Sequence, residues 1–171
     1  MTDHVRMQVD DVVDIVTGLE SAGVTVWLDG GWCVDALVGR QTRDHSDLDV
    51  AVARSDEAGL RTWFRDRGYS EVPRAGELPW NFVLGDGSGR LVDVHVFEFD
   101  EQGGVRYGIE YPRAALTGTA ALEGVSVRCI SPEWMFRFKT AYPPAAKDLA
   151  DVRALHDVYG FEIPPSHTAG A

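Results

Sequence analysis

The chain has 171 residues, of which 44% are hydrophobic and 25% charged, the balance of a globular domain that builds its core without disulfide staples. A formal charge of −11, from 27 acidic against 16 basic residues, excludes the basic stripe that duplex nucleic acid or an anionic membrane requires; it suits divalent cations or a polycationic small molecule. Two cysteines, Cys33 and Cys129, cannot form a disulfide framework or a paired-spacing zinc site, and no apolar run approaches the roughly 18 residues of a membrane span.

Val9, Val12, Val13, Val16 and Leu19 follow a helical spacing and predict a helix over residues 10–20, closed by Gly23. The β-branched run 24–28 reads as a buried strand, and Asp29-Gly30-Gly31 turns it into a short helix over 32–37 that Gly39 stops. A polar stretch, 40–46, leads to a strand over 47–53, and Ser55 is placed to cap a helix over 56–67. Strands at 80–84 and 91–99 flank the Gly-rich hairpin signal 85–89, with further strands expected at 103–108 and 125–130. Ser131-Pro132 opens a helix to residue 141, and a last helix over 145–159 is expected to bury Leu149, Val152, Leu155 and Val158. This order is α+β: a mixed sheet flanked by helices, one domain over residues 1–163 with a helical part at 130–160. A tail, 164–171, lacks a periodic face and is expected to be mobile. The N-terminal residues lack the apolar stretch of a signal peptide, so a cytoplasmic protein is expected.

Three features carry chemistry. In Ser46-Asp47-Leu48-Asp49-Val50-Ala51-Val52, strand alternation puts Asp47 and Asp49 on one face and the aliphatic residues on the other. Two carboxylates so placed repel unless a cation lies between them, and hard cations take such oxygen ligands; a solvated edge strand is the alternative. In Leu91-Val-Asp93-Val-His95-Val-Phe97, Asp93 and His95 share a face opposite three valines. Aspartate is depleted in strand interiors, so Asp93 needs a reason: a third metal carboxylate and general base, or a buried ion pair. His95 fits a packed, hydrogen-bonded histidine better than a ligand. Gly30-Gly31-Trp32, between strand and helix, offers backbone N–H groups and close approach to a phosphate, or is simply a tight turn. It is neither a Walker A loop nor a dinucleotide fingerprint.

In this order the three features, with the run from Trp27 to Asp49, resemble the nucleotidyltransferase fold of the DNA polymerase beta type. Within it they are similar to the small antibiotic nucleotidyltransferases, that is, lincosamide nucleotidyltransferases and aminoglycoside 2″-adenylyltransferases. The specific part covers about residues 26–53, and Asp93 with Lys147-Asp-Leu-Ala-Asp151 adds weaker support. Gly30-Gly31 stands where many members of the wider fold have Gly-Ser. The resemblance implies AMP transfer from a nucleoside triphosphate to a hydroxyl of a small molecule, a lincosamide first and an aminoglycoside second. It further implies that Asp47 and Asp49 hold Mg2+, two ions per site, that Asp93 is a ligand of that metal, the general base, or both, and that Gly30 and Gly31 hold the triphosphate. Trp32, Arg43, His45 and Lys147 are further expected at the nucleotide, with Lys139 a second candidate there. Asp35 is a candidate to face substrate and Trp80 and Tyr107 to line an acceptor pocket, against solvated or core roles as the alternative. A homodimer completing the acceptor site fits so small a domain. A toxin-like enzyme modifying RNA or protein is the rival class, and the absence of a basic stripe weighs against RNA.

Overall fold

The computed structural model describes residues 5–168. The first helix, α1 (Val9–Ser21), buries Val12, Ile15, Val16 and Leu19, close to the spacing that predicts it. Strand β1 (Val26–Asp29) runs directly into α2 (Gly30–Val38), which ends on Gly39 in the left-handed region. This helix begins two residues earlier than the sequence signals, because Gly30 at φ 56° makes the whole turn from strand to helix. Strand β2 (Leu48–Ala53) follows the polar loop, and a 3-10 turn at Arg54–Asp56 precedes α3 (Glu57–Arg65). Asp56 rather than Ser55 stands at the N-cap of that helix, and its carboxylate accepts from the Thr25 backbone N–H at 3.1 Å.

The middle of the chain supplies β3 (Ser70–Glu71), β4 (Asn81–Gly85), β5 (Leu91–Phe99) and β6 (Val105–Gly108). A second hairpin, β7 (Gly118–Leu122) with β8 (Val125–Cys129), precedes α4 (Pro132–Thr140) and α5 (Ala146–Tyr159). All eight strands form one mixed sheet in the order β3-β4-β5-β2-β1-β8-β7, with β6 paired to β5. Its centre decides the chemistry. Strand β2 lies between β1, antiparallel, and β5, parallel, so Asp29 faces Asp49 across one pair and Asp49 faces Asp93 across the next.

Alternation then separates two faces. Leu28, Val50, Val52, Val92, Val94, Val96, Phe82 and Leu84 point to one side and join α1, Leu60 and Phe64 in the hydrophobic core. The row of aspartates points to the other side. Over that side, α2 rests against α4 and α5. Cys33 and Cys129, distant in sequence, meet in this interior as free thiols, and burial pushes the Cys33 thiol well up.

Two expectations about the C-terminal part change. On α5 the buried set is Asp148, Asp151, Val152, Ala154 and Leu155, while Val158 is half exposed: the helix turns carboxylates inward because cations from elsewhere in the chain meet them. Past Ile163, Pro165–His167 forms a 3-10 turn and His167 is buried, so this part of the expected tail packs on the domain. Residues 169–171 of that tail lie outside the described residues. No helix among the described residues is long and apolar enough to cross a membrane.

Candidate active site

A cleft of about 450 Å3 opens over the aspartate face of the sheet, between β1, β2 and β5 on one wall and α4 and the start of α5 on the other. Asp29, Asp47, Asp49, Asp93 and His95 line the first wall; Met135, Phe138, Lys139, Tyr142, Lys147 and Asp148 line the second. Arg43, His45 and Ser46 close one end, and Gly30 and Gly31 sit at its base.

Each carboxylate has its own surroundings. Asp29, at the end of β1, caps α2 by accepting from Gly30 N–H at 2.8 Å and accepts the Tyr111 hydroxyl at 2.5 Å. Burial, with the charge and hydrogen bond of Asp29, pushes the Tyr111 hydroxyl far up from its ordinary value, so it stays a donor; its ring stacks on Phe138 of α4 at 4.6 Å. Asp93 is held by two donors, Arg74 Nη1 at 2.8 Å and Asn81 Nδ2 at 2.6 Å. The same Asn81 Nδ2 lies within hydrogen-bond reach of Val94 O and His95 Nδ1, and its Oδ1 accepts from Arg74, which fixes which way round the amide lies.

Asp49 has the least compensation. Burial, together with the charges of Asp47 and Asp29, raises its carboxyl above the usual range, and His95 only partly offsets this. Burial works against a charge on His95, yet Asp49, Asp29 and Asp93 outweigh it and raise the imidazole's pKa. His95 Nε2 stands 3.7 Å from an oxygen of Asp49 and 3.7 Å from one of Asp93. Ligand atoms of Asp49, Asp93 and His95 all fall within 4.8 Å of one another. His95 is therefore part of the cluster rather than only a packed histidine. Asp47, just before β2, lines the cleft beside this group without joining it.

The two glycines bring the backbone close to neighbouring side chains at the base. A Cβ on Gly30, already at positive φ, would lie 2.2 Å from Asp49 Oδ2, and one on Gly31 would lie 2.3 Å from His45 Nδ1. The N-terminus of α2, with its partial positive charge, thus abuts the Asp49 carboxylate.

Other expected residues divide. Arg43 lines the cleft but its guanidinium grips Asp151 through two bonds of 2.9 and 3.0 Å. His45 is buried and bonded to Asp35, which also accepts from Thr42, so Asp35 organises the 40–46 loop instead of facing the cleft. Lys147 stands exposed at the rim. Lys139, buried, pairs with Asp151 at 2.9 Å and Asp148 at 3.3 Å. Trp32 does not reach the cleft: it is buried in the core with its ring 4.5 Å from that of His45, because a helix starting at Gly30 turns position 32 inward. Trp80 and Tyr107 also lie outside the cleft; each packs on the core, with Arg54 over the Tyr107 ring. Asp29, Arg74, Asn81 and Tyr111 were not signalled by the sequence. Of these, only Asp29 had a local cue, as the strand-end carboxylate before two glycines.

Comparison with known proteins places this geometry. The family model described as aminoglycoside-2″-adenylyltransferase matches residues 11–155. The chain belongs to the aminoglycoside-2″-adenylyltransferase family. Among curated members, a lincosamide resistance protein of Staphylococcus haemolyticus is 26% identical over 148 residues, 81% of this chain and 88% of that one. A 2″-aminoglycoside nucleotidyltransferase of Klebsiella pneumoniae is 37% identical over a shorter stretch of 43 residues, 25% of this chain and 24% of its own. Among solved structures, the lincomycin-bound lincosamide adenylyltransferase LnuA superposes with a TM-score of 0.78 at 22% identity, covering 90% of this chain and 99% of that chain. The aminoglycoside enzyme ANT(2″)-Ia, in complex with adenylyl-2″-tobramycin, gives 0.71 at 22% identity, covering 88% of each chain. These likenesses confirm the mixed α+β nucleotidyltransferase fold expected from the sequence.

Proposed function

We propose that this family member transfers AMP from a nucleoside triphosphate, ATP first, to a hydroxyl of a small antibiotic molecule, releasing pyrophosphate in the cytoplasm. One observation carries the reading: Asp49 and Asp93 are direct neighbours on parallel strands, on the face where the N-terminus of α2 points. That arrangement supports a reading in which a cation site, a phosphate site and a base share one cleft.

The donor set fits magnesium. Asp49 and Asp93, with Asp47 beside them, offer hard oxygen ligands, and Asp49 lies in a surplus of negative charge that a divalent cation would relieve. Two Mg2+ held there would stabilise charge on the attacking and leaving oxygens. The chain's own residues do the rest. The Gly31 backbone N–H donates to a phosphate oxygen, with Gly30 allowing the close approach while its own N–H stays on Asp29, and the exposed Lys147 faces the same charge. Arg43 and His45, held by Asp151 and Asp35, shape that end of the cleft. As the acceptor oxygen bonds to the α-phosphorus, the bond to the pyrophosphate oxygen breaks, and the hydroxyl proton passes to a carboxylate oxygen of Asp93.

Lincosamides lead as acceptors because the relative matched along most of both chains is a lincosamide resistance protein. An aminoglycoside is the second reading, favoured by the family model and by the acidic sheet wall of the cleft. Incubation with ATP, Mg2+ and a panel of both antibiotic classes, followed by mass spectrometry, tests this. A gain of one AMP on an acceptor, absent without Mg2+, is expected; no gain on any compound refutes the reading.

A further inference from the structure

Beside the cleft lies a second cavity, about 730 Å3, within the size range of small-molecule sites. The two share a wall made by Arg43, His45, Ser46 and Lys147, so this annex continues the active site. Its floor is apolar. Val5 and Val72, 40% and 37% exposed, are large aliphatics left facing solvent there, and Leu91 and Gly85 lie between them. Gly85 keeps the floor low, since a Cβ at that position would strike Val72 Cγ2 at 2.8 Å and Leu91 Cδ2 at 3.1 Å.

Strand register relates the annex to the row of carboxylates. Leu91 is two residues before Asp93 on β5, and Gly85 is its partner on β4, so the floor belongs to the same sheet face as the carboxylates. The rise of a strand puts Leu91 about 7 Å from Asp93. Sheet order puts β1 and the phosphate-facing end of α2 on one side of Asp49, and β5 and β4 on the other. A triphosphate seated at Gly30 and Gly31 occupies the first side. A molecule presenting its hydroxyl to Asp93 extends over the second, where the annex lies. The annex offers no spare negative charge to a cation: Asp44, the carboxylate among its lining residues, is paired with Arg6 at 2.7 Å, Arg43 is held by Asp151, and Lys147 faces it as a positive charge.

We propose that this annex is the acceptor site, and that it receives the apolar portion of a hydroxyl-bearing molecule while rejecting polycations. The inference rests on the reading of Asp93 as the residue that meets the acceptor hydroxyl. It selects a lincosamide-like acceptor over an aminoglycoside on the grounds of this cavity alone.

Two substitutions at the exposed Val72 test it without disturbing the core, Val72→Trp to fill the annex and Val72→Asp to make its floor polar. Lincomycin, tobramycin and ATP are titrated calorimetrically into wild type and both variants, and AMP transfer to each antibiotic is read by mass spectrometry. Both variants are expected to weaken lincomycin by about tenfold or more, the effect of losing one well-buried apolar contact, with ATP affinity held within about twofold. Weakened ATP binding would give the annex to the nucleobase, and unchanged lincomycin binding would make it an idle hollow; either overturns the inference. Transfer to tobramycin with no binding of lincomycin also overturns it, while leaving nucleotidyl transfer intact. Loss of the parent reading is visible separately, as lincomycin binding sensitive to Val72 with no AMP on any acceptor.

Discussion

Removing Arg74 should tighten divalent-cation binding to the protein alone. Arg74 is carried on the exposed segment between β3 and β4, and its guanidinium reaches in to hold Asp93 Oδ2 at 2.8 Å and Oδ1 at 3.4 Å. A cation that takes Asp93 as a ligand must displace that arginine. Charged hydrogen bonds contribute about 1.5–3 kcal/mol when well sheltered and exposed ion pairs about 0–1 kcal/mol. With side chains 34% and 13% exposed, this pair falls between the two ranges; about 1 kcal/mol is a fair discounted value, or about fivefold in affinity. Mn2+ titration followed by electron paramagnetic resonance of the free ion, without nucleotide, measures it directly. Arg74→Ala should bind Mn2+ about fivefold more tightly and Arg74→Lys should fall between, since lysine cannot reproduce the two-pronged contact. Asn81 still orients Asp93 in both variants, and Arg74 contributes nothing to the core, so folding is not at issue. Equal or weaker Mn2+ binding by Arg74→Ala would show that Asp93 is not the ligand, and would refute the reasoning.

Three further outcomes follow from the same geometry. Asp49→Asn should raise the melting temperature of the metal-free protein at neutral pH and abolish transfer: because the folded pKa lies above the unfolded one, stability falls as pH climbs from the ordinary aspartate value through the raised one, and the amide removes that loss. Unchanged melting profiles from pH 4 to pH 8 would contradict this sign. Asp93→Asn should cost turnover about 10²–10⁴-fold while calorimetric ATP affinity is largely kept, and collapse of binding with a normal single-turnover rate would make Asp93 a metal anchor only. Asp151→Ala should destabilise the fold by about 3 kcal/mol in urea titrations, the low end for a broken buried pair because Arg43 keeps partial access to water.

Local signals made part of this legible. Helix α1 and strand β5 follow from periodicity, because each buries one face against the same core. Strand β7 does not: Gly-Thr-Ala-Ala-Leu lacks β-branched density, and pairing with β8 makes it a strand. Asp49 and Asp93 were each visible as carboxylates on apolar strands, but only the parallel pairing of β2 with β5 makes them neighbours. Arg74, Asn81 and Tyr111 could not be read locally, since each acts on a carboxylate between 12 and 82 residues away. Trp32 went wrong because the sequence places its helix start two residues late, which turns that side chain by half a turn or more.

The charge pattern favours Asp49, among the row of aspartates, as the place for the proposed cation. Like charges directly opposite on adjacent strands are destabilising, and here three aspartates stand in register across β1, β2 and β5. The two outer members are answered by the protein itself. Asp29 has the Tyr111 hydroxyl and the first N–H of α2; Asp93 has Arg74 and Asn81. The central member has only His95, at 3.7 Å, and Asp47 adds a further negative charge. A fold selected for stability alone would avoid a third carboxylate in register at position 49, since a neutral residue there would remove the repulsion. The uncompensated carboxylate is instead kept within reach of the helix N-terminus, against Gly30, where positive φ and close approach make any side chain strained. An incoming divalent cation would therefore relieve repulsion at the point where a bound phosphate would meet it, so that metal and nucleotide binding should reinforce each other.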